Sequence, residues 1–341
     1  MSFDLEIEFA VEAVRRAARV TRRVQAATLP KDGALQKSDQ SPVTVADFAS
    51  QAMVARALSN AFGADPLVGE EDATALRGDA ATLEAVTHFV REGTASEVPI
   101  PEVTPDAICD WIDYGNGTPG DRFWTLDPID GTKGYLRREQ YAVALALIVD
   151  GQVQVAALGC PNLGPGGALT TESGIIAAAV RGRGAFWLPM DKKAMPRSLH
   201  VSKIDALRDA RFLRSVEAAH TNLDEIGQLA EKLGVTAPSV GLDSQAKYAV
   251  LAGGHGDVLL RLLSPKRPDY KEMIWDQAAG SLVVEEAGGM VTDLAGRALD
   301  FSQGKTLAAN RGVCVTNGHL HEAILDALAA MKIAGAKEAT R

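Results

Sequence analysis

Five carboxylates in this sequence stand where apolar runs end. Asp47 lies in SPVTVADFASQ, Glu70 in LVGEED, Asp127 and Asp130 in FWTLDPIDGTKGYL, and Asp276 in IWDQAAG. Acids gathered at strand ends repel and raise one another's pKa unless something positive meets them. Carboxylates, with water and phosphate oxygens, are the hard ligands that Mg²⁺ takes into its octahedral shell. Two such ions about 3.5–4 Å apart would clamp the attacking and leaving oxygens of an in-line phosphoryl displacement. Within DPIDGT, the Ile129 carbonyl is placed to face the same cation. The amides of Gly131 and Thr132 can open a helix and hold a phosphate, and the Thr132 hydroxyl can bond a water beside the metal.

Each signal by itself has a plainer reading. A lone Asp near a helix start is most often an N-cap or a dipole-stabilising acid, which covers Asp47 and Asp276 taken singly. The GEED acids alone read as a solvated loop, and DPxDG alone as a turn. Their order within one chain is what turns them into a constellation.

The elements that must position these acids follow from the apolar pattern. Residues 3–28 keep a helical period and a second helix is expected from about Thr44 to Phe62, with LPKDGALQKSDQSP as the loop between them. PLVG reads as a short buried strand, residues 91–107 as a surface excursion, and 122–126 as the strand entering DPIDGT. YAVALALIVDGQVQVAALGC reads as a hairpin turning at Asp150-Gly151 in a type I′ turn. After Pro161 the chain becomes glycine-rich, and a domain change is expected there. GIIAAAV, ARFLRSV, a helix over 222–234, SQAKYAVLAGG, DVLLRLL and VCVTNG then alternate as strands and helices, which predicts an α/β layer architecture.

Composition narrows the function. The chain has 341 residues, net charge −9 and no basic stripe, so phosphate-neutralising nucleic-acid binding is not expected. Cys109, Cys160 and Cys314 are far apart and form no CxxC pair, which fits a reducing compartment. The N-terminus lacks an apolar signal core and the longest apolar run, 141–149, is too short to span a bilayer; a cytoplasmic protein with no membrane partner is expected.

SPVTVADFASQ, VGEED, WTLDPIDGTKGYL and IWDQAAGSLVVEEAGG together resemble the inositol monophosphatase superfamily of magnesium-dependent, lithium-sensitive phosphatases. GLDSQAKY and LDPIDGTKGYLRREQYAVALALIVDGQVQ more narrowly resemble its 3′(2′),5′-bisphosphate nucleotidases, and the likeness runs from about residue 4 to 330. The resemblance implies an α/β fold with an α+β N-terminal half, layered αβαβα. Residues 1–160 would carry most metal ligands, and 161–341 the substrate pocket with the last ligand. It implies Glu70, Asp127, the Ile129 carbonyl, Asp130 and Asp276 as ligands of two or three Mg²⁺ ions, with Li⁺ inhibitory. Asp47 and Thr132 would activate the nucleophilic water, Thr132 giving its hydroxyl proton to a carboxylate. Gly131, Thr132, His220, Ser244, Lys247 and Arg261 would hold the substrate.

Ser244 and Lys247 stand three apart, on one predicted helical face, and Lys247 and Arg261 would neutralise a 5′-phosphate. The plainer readings are a strand-end histidine for His220, a solvated lysine and a surface ion pair for Arg261. Trp124 and Trp275 read as packing residues, Glu285 and Glu286 as solvent or structural acids. Two segments depart from the family pattern: SVEAAH has alanines in place of serines, and LSPKRPDYKEM is longer, which touches the register of Tyr270. The activity implied is Mg²⁺-dependent removal of the 3′-phosphate of adenosine 3′,5′-bisphosphate, and of 3′-phosphoadenosine 5′-phosphosulfate. The alternatives are an inositol or other sugar-phosphate phosphatase, and a non-catalytic nucleotide-binding regulator.

Overall fold

The computed structural model of the chain describes residues 2–28, 42–97, 102–169, 174–191, 194–216, 223–264 and 266–336. Helices α1 (Asp4–Thr28) and α2 (Pro42–Ala61) lie where the helical period places them. In α1 the buried Ala10, Ala13, Val14, Ala17 and Ala18 recur at steps of three and four, giving one apolar stripe. The loop expected between the two helices falls largely outside the described residues. After β1 (Leu67–Gly69) come α3 (Ala80–Thr94) and α4 (Pro105–Asp113), helices that reach into the expected surface excursion at both ends. Caps explain the difference. Asp79 accepts from the Thr82 amide, Thr104 accepts from the Ala107 amide, and Pro105 occupies a first-turn position where no N–H is needed.

Then follow β2 (Arg122–Asp130), α5 (Thr132–Leu136), β3 (Ala142–Val149), β4 (Gln152–Cys160), β5 (Ile175–Val180), β6 (Ala185–Pro189) and β7 (Arg197–Ser198). With β1 they form a seven-stranded sheet in chain order, β1 parallel to β2 and the rest antiparallel. β3 and β4 join through Asp150 and Gly151, both at positive φ (51° and 72°), as a type I′ turn requires. The sheet continues past Pro161, and the change to the next sheet falls between Ser198 and Phe212.

The second sheet is built from β8 (Phe212–Arg214), α6 (Leu223–Lys232), β9 (Val240–Gly241), α7 (Ala246–Ala252), β10 (Val258–Arg261), α8 (Ala278–Glu286), β11 (Met290–Thr292), β12 (Val313–Thr316) and α9 (His321–Ala330). Its strand order is β11-β12-β10-β8-β9.

Strand β3 shows why the layers stack. Ala142, Ala144, Ala146 and Ile148 join the core shared with α7, α8 and the second sheet, whereas Val143, Leu145 and Leu147 face the core under α1 and α2. A strand covered on both faces reads as an unbroken apolar run. The far face of the second sheet, Phe212, Val258, Leu260 and Cys314, packs on Ile226 of α6 and Ile324 of α9. The order is helices, sheet, helices, sheet, helices: the expected αβαβα layering. Among the described residues no helix is long and apolar enough to cross a membrane. Cys109, Cys160 and Cys314 are buried free thiols.

Candidate active site

The strand expected over 122–126 runs on to Asp130, with its register against β3 shifting between Asp127 and Asp130. DPID is therefore a bulge in the sheet rather than a turn beyond it. A bulge frees backbone groups and re-aims side chains; here α2 holds it. Ser50 Oγ donates to the Pro128 carbonyl at 2.9 Å. One residue on, the Gln51 amide nitrogen donates to the carbonyls of Glu71 and Ile112, and its oxygen accepts from the Glu71 N–H at 3.1 Å. Thr125 Oγ1 donates to the Val68 carbonyl at 3.0 Å, fixing the strand that delivers Glu70. The Ile129 N–H turns back to Asp127 Oδ1 at 3.1 Å.

The second half closes on this bulge. The Gln245 N–H donates to Asp130 Oδ2 at 2.7 Å. Its side chain donates to the Trp275 carbonyl at 2.9 Å and accepts from the Gly280 N–H at 3.1 Å. One buried glutamine thus joins the segments carrying Asp130 and Asp276. Gly131 sits at φ 92°, and a Cβ there would stand 2.6 Å from that of Ser244, so only glycine allows this approach.

These segments enclose a pocket of about 400 Å³. Glu70, Asp127, Ile129, Asp130 and Asp276 line it, together with Gly131, Thr132, Ser244, Lys247 and Arg261. Asp47 does not line it; it is buried in α2, near enough for its charge to act on Asp127. Thr132 begins α5, exposed, and its hydroxyl is not hydrogen-bonded to Asp47. His220 lies outside the described residues.

Three local expectations change. Ser244 precedes α7 at φ 71° and so shares no helical face with Lys247. Lys247 is only 4% exposed, its Nζ donating to Ser215 Oγ at 2.8 Å, so it is not a solvated lysine. Arg261 pairs not at the surface but with the buried Glu272, at 2.7 Å. Asp276 lies in the turn just before α8, near that helix's start as read. Trp124 and Trp275 pack in the cores as expected. Glu285 pairs with Arg181, and Glu286 accepts from the Gly182 and Gly184 amides, which makes both structural. Glu272, Gln245, Glu71 and Ser215 escaped the sequence reading, because their partners are chosen by packing and no helical or strand period pairs them.

The site is electrostatically divided. Burial, then Glu70 and Asp130, hold the Asp127 carboxyl well above the usual carboxylate range. Burial and the neighbouring Glu71 and Glu70 do the same to Asp47. Asp276 is also raised by burial, against the pull of Arg261. Glu70 is exposed at its surface, yet the atoms packed around its carboxyl, then Glu71 and Asp130, push it up to about 7. Beside them, burial and then Arg261 bring Lys247 down to about 8. Burial works against the charge of Arg261, but Glu272 and Asp276 more than offset it.

Among the described residues no three acidic, histidine or cysteine side chains converge as a ready-made metal cage. That does not exclude Mg²⁺, which keeps several waters and takes one or two carboxylates plus substrate phosphate rather than an all-protein cage. An all-oxygen donor set of mutually repelling acids fits such an ion, and Glu70, Asp127, the Ile129 carbonyl, Asp130 and Asp276 are the groups in place to hold it.

A sequence profile of the inositol monophosphatase family matches residues 4–332. The chain is 42% identical over 343 residues to a 3′(2′),5′-bisphosphate nucleotidase of Schizosaccharomyces pombe, covering 97% of each. It is 40% identical to one of Emericella nidulans, covering 96% of this chain and 98% of that one. Among solved structures, an IMPase of Thermotoga maritima superposes with a TM-score of 0.62 at 20% identity, covering 96% of this chain and 98% of that one. The CysQ protein of Bacteroides thetaiotaomicron does so at 0.58 and 18%, covering 93% and 98%. Those identities carry the fold alone.

Proposed function

The chain belongs to the inositol monophosphatase family, and from that premise we propose that it is a Mg²⁺-dependent phosphatase for the 3′-phosphate of adenosine 3′,5′-bisphosphate, giving AMP and phosphate. The observation that carries this reading is the meeting of acids and cations in one pocket. Glu70, Asp127, Asp130 and Asp276 line it together with the buried Lys247 and the half-buried Arg261. A monoester with one phosphate needs only the acid side and its metal. A substrate with a second phosphate also meets the cations, where an arginine fork and a lysine ammonium recognise phosphate oxygens. The names of the relatives at 40% identity and above support the same substrate class.

Bound between Glu70, Asp127, Asp130 and Asp276, two or three Mg²⁺ ions would offset the acids' repulsion, polarise the phosphoryl oxygens and lower the pKa of the attacking water. The remaining roles belong to the chain. The amides of Gly131 and Thr132 orient the 3′-phosphate, and Ser244 and Lys247 its nucleoside side. Thr132 accepts from the attacking water and Asp47 acts through it, by taking the Thr132 hydroxyl proton in a hydrogen bond that forms with substrate bound. His220 belongs to the same proposal as a pocket residue. Residues 1–160 thereby supply most of the metal side and 161–341 the recognition side. The phosphosulfate analogue as a second substrate, Li⁺ as a competitor of Mg²⁺ and a cytoplasmic setting complete the reading.

The test is phosphate release, with Mg²⁺, from adenosine 3′,5′-bisphosphate and myo-inositol 1-phosphate side by side, repeated with LiCl against KCl. Preference for the nucleotide and selective loss in LiCl are expected. Preference for the inositol ester would overturn the substrate, and no release from either, with nucleotide still bound, would make the protein a binder.

A further inference from the structure

A chain of buried polar side chains runs behind the cationic wall of the pocket. Arg261, the last residue of β10, pairs through Nη2 with Glu272 Oε2 at 2.7 Å. The same oxygen accepts from Gln277 Nε2 at 2.9 Å, and Gln277 Oε1 accepts the hydroxyl of Tyr248. Tyr248 follows Lys247 on α7, and its ring lies against Gly280 of α8, where a Cβ would come within 2.5 Å of it. Glu272, Gln277 and Tyr248 are 5%, 0% and 2% exposed. The segment bearing Glu272 is pinned as well: its carbonyl accepts from the Leu307 N–H at 2.9 Å, and the Ile274 N–H donates to the Lys305 carbonyl at 3.1 Å.

A long cationic side chain that must meet a phosphate loses rotamer freedom on binding, and one already held in place loses less. Arg261 lines the pocket, is held by one nitrogen, and keeps a buried Nε with no partner in the protein. Lys247 lines the same pocket and repels it, so the spacing between the two cations needs a counter-charge. Asp130 and Asp243 act more strongly on Lys247, but Glu272 is the carboxylate that holds Arg261 directly, and it is wired to α7.

We propose that Glu272 is a positioning residue: its ion pair sets the Arg261 guanidinium, and Gln277 and Tyr248 tie that pair to the helix carrying Lys247. The two cations then meet a substrate's second phosphate at a fixed spacing. This rests on the reading that the pocket takes a nucleotide bisphosphate. The rival is a pair that only neutralises a buried arginine, in which case Glu272 would affect folding and every substrate alike.

The test is calorimetric titration of the intact protein with adenosine 5′-monophosphate in Mg²⁺, beside kcat and KM for adenosine 3′,5′-bisphosphate and adenosine 3′-monophosphate. The variants are Glu272→Gln, Glu272→Asp, Arg261→Lys and the double Glu272→Gln, Arg261→Lys, each melted to check folding. Glu272→Gln is expected to weaken 5′-monophosphate binding about tenfold, the scale of one hydrogen bond to a charged group. It should raise KM for the bisphosphate in proportion while leaving kcat, and KM for the 3′-monophosphate, within about twofold. Glu272→Asp should recover part of the loss, and the double variant should bind no more weakly than Arg261→Lys. Additive losses, an equal rise in KM for the 3′-monophosphate, or a wild type that does not bind the 5′-monophosphate would each overturn the proposal. If Glu272→Gln does not fold, Glu272→Asp carries the same comparison. A wild type that hydrolyses neither ester but binds the 5′-monophosphate with the non-additive pattern would remove the nucleotidase reading and leave this one standing.

Discussion

Asp127 shows what it costs to bury an acid in the proposed metal site. It is 2% exposed, and its neighbours Glu70 and Asp130 are also acids. A buried carboxylate among like charges destabilises the fold until a cation meets it. Asp127→Asn keeps the shape and removes the charge. Turnover with Mg²⁺ is expected to fall by about three orders of magnitude, several kcal/mol of lost charge stabilisation at 1.36 kcal/mol per tenfold. In EDTA the same variant should melt higher than the wild type, and added Mg²⁺ should raise the wild-type Tm more than that of the variant. Thermal melts with and without the metal decide it; equal Mg²⁺ shifts for both would remove Asp127 from the ligand set. At this scale the sequence was largely legible. An acid at the end of an apolar run carries its signal in its own neighbourhood, as Asp127, Asp130 and Glu70 do. Glu272 carries none, because its partner Arg261 is defined only by packing.

At the scale of elements, what matters is how the β2 bulge and the start of α7 come together. Gly131 is the contact point, at φ 92° and with Ser244 at its Cα. Gly131→Ala imposes a left-handed conformation on a residue with a Cβ, costing about 1–3 kcal/mol by itself. The 2.6 Å approach to Ser244 adds a clash that must push α7 away. The variant is expected to unfold at lower denaturant, and kcat/KM should fall further than stability accounts for, since Ser244, Lys247 and the Gln245 amide on Asp130 all move. Chevron or equilibrium denaturation beside kinetics at a temperature where the variant is folded checks this. An unchanged kcat/KM would mean that the two elements do not act together. Helix caps were legible in hindsight: Thr104-Pro105 is a start signal, and Asp79 with Thr82 another. Polarity and proline over 91–107 obscured the Thr104-Pro105 signal, because composition averages over the very residues that specify a cap.

Across the whole molecule, one buried acid shows how the second sheet is tied together. Asp257, just before β10, is fully buried and accepts from the Arg211 N–H at 2.7 Å and from its guanidinium at 2.8 and 2.9 Å. Ser202, on the connection from the first sheet, donates to it as well. Burial alone would raise this carboxyl, but Arg211 and Ser202 hold it below the ordinary aspartate value of 3.8. A carboxyl whose folded pKa is depressed contributes stability above its unfolded pKa and loses it as pH falls through the folded one. Acid unfolding should therefore steepen below about pH 4, and Asp257→Asn should flatten that limb. The same variant should cost about 3 kcal/mol at neutral pH, because it leaves a partly buried arginine without its partner. Urea unfolding from pH 7 down to 2.5 reads both, and parallel curves for the two proteins would show that Asp257 is not the group responsible.

The sequence by itself determined the alternation of strands and helices, the acids at strand ends and the hairpin at Asp150-Gly151. Each of these depends on residues close together in the chain: an apolar period, a strand end, a turn dipeptide. The end of the first sheet at Ser198, the bulge that aims Asp127 and Asp130, the left-handed Ser244, and the tie from Glu272 through Gln277 to Tyr248 were decided only by the tertiary structure. They depend on which distant surfaces meet. Packing and buried hydrogen bonding select that meeting over the whole chain, and no local window of sequence holds both sides of it.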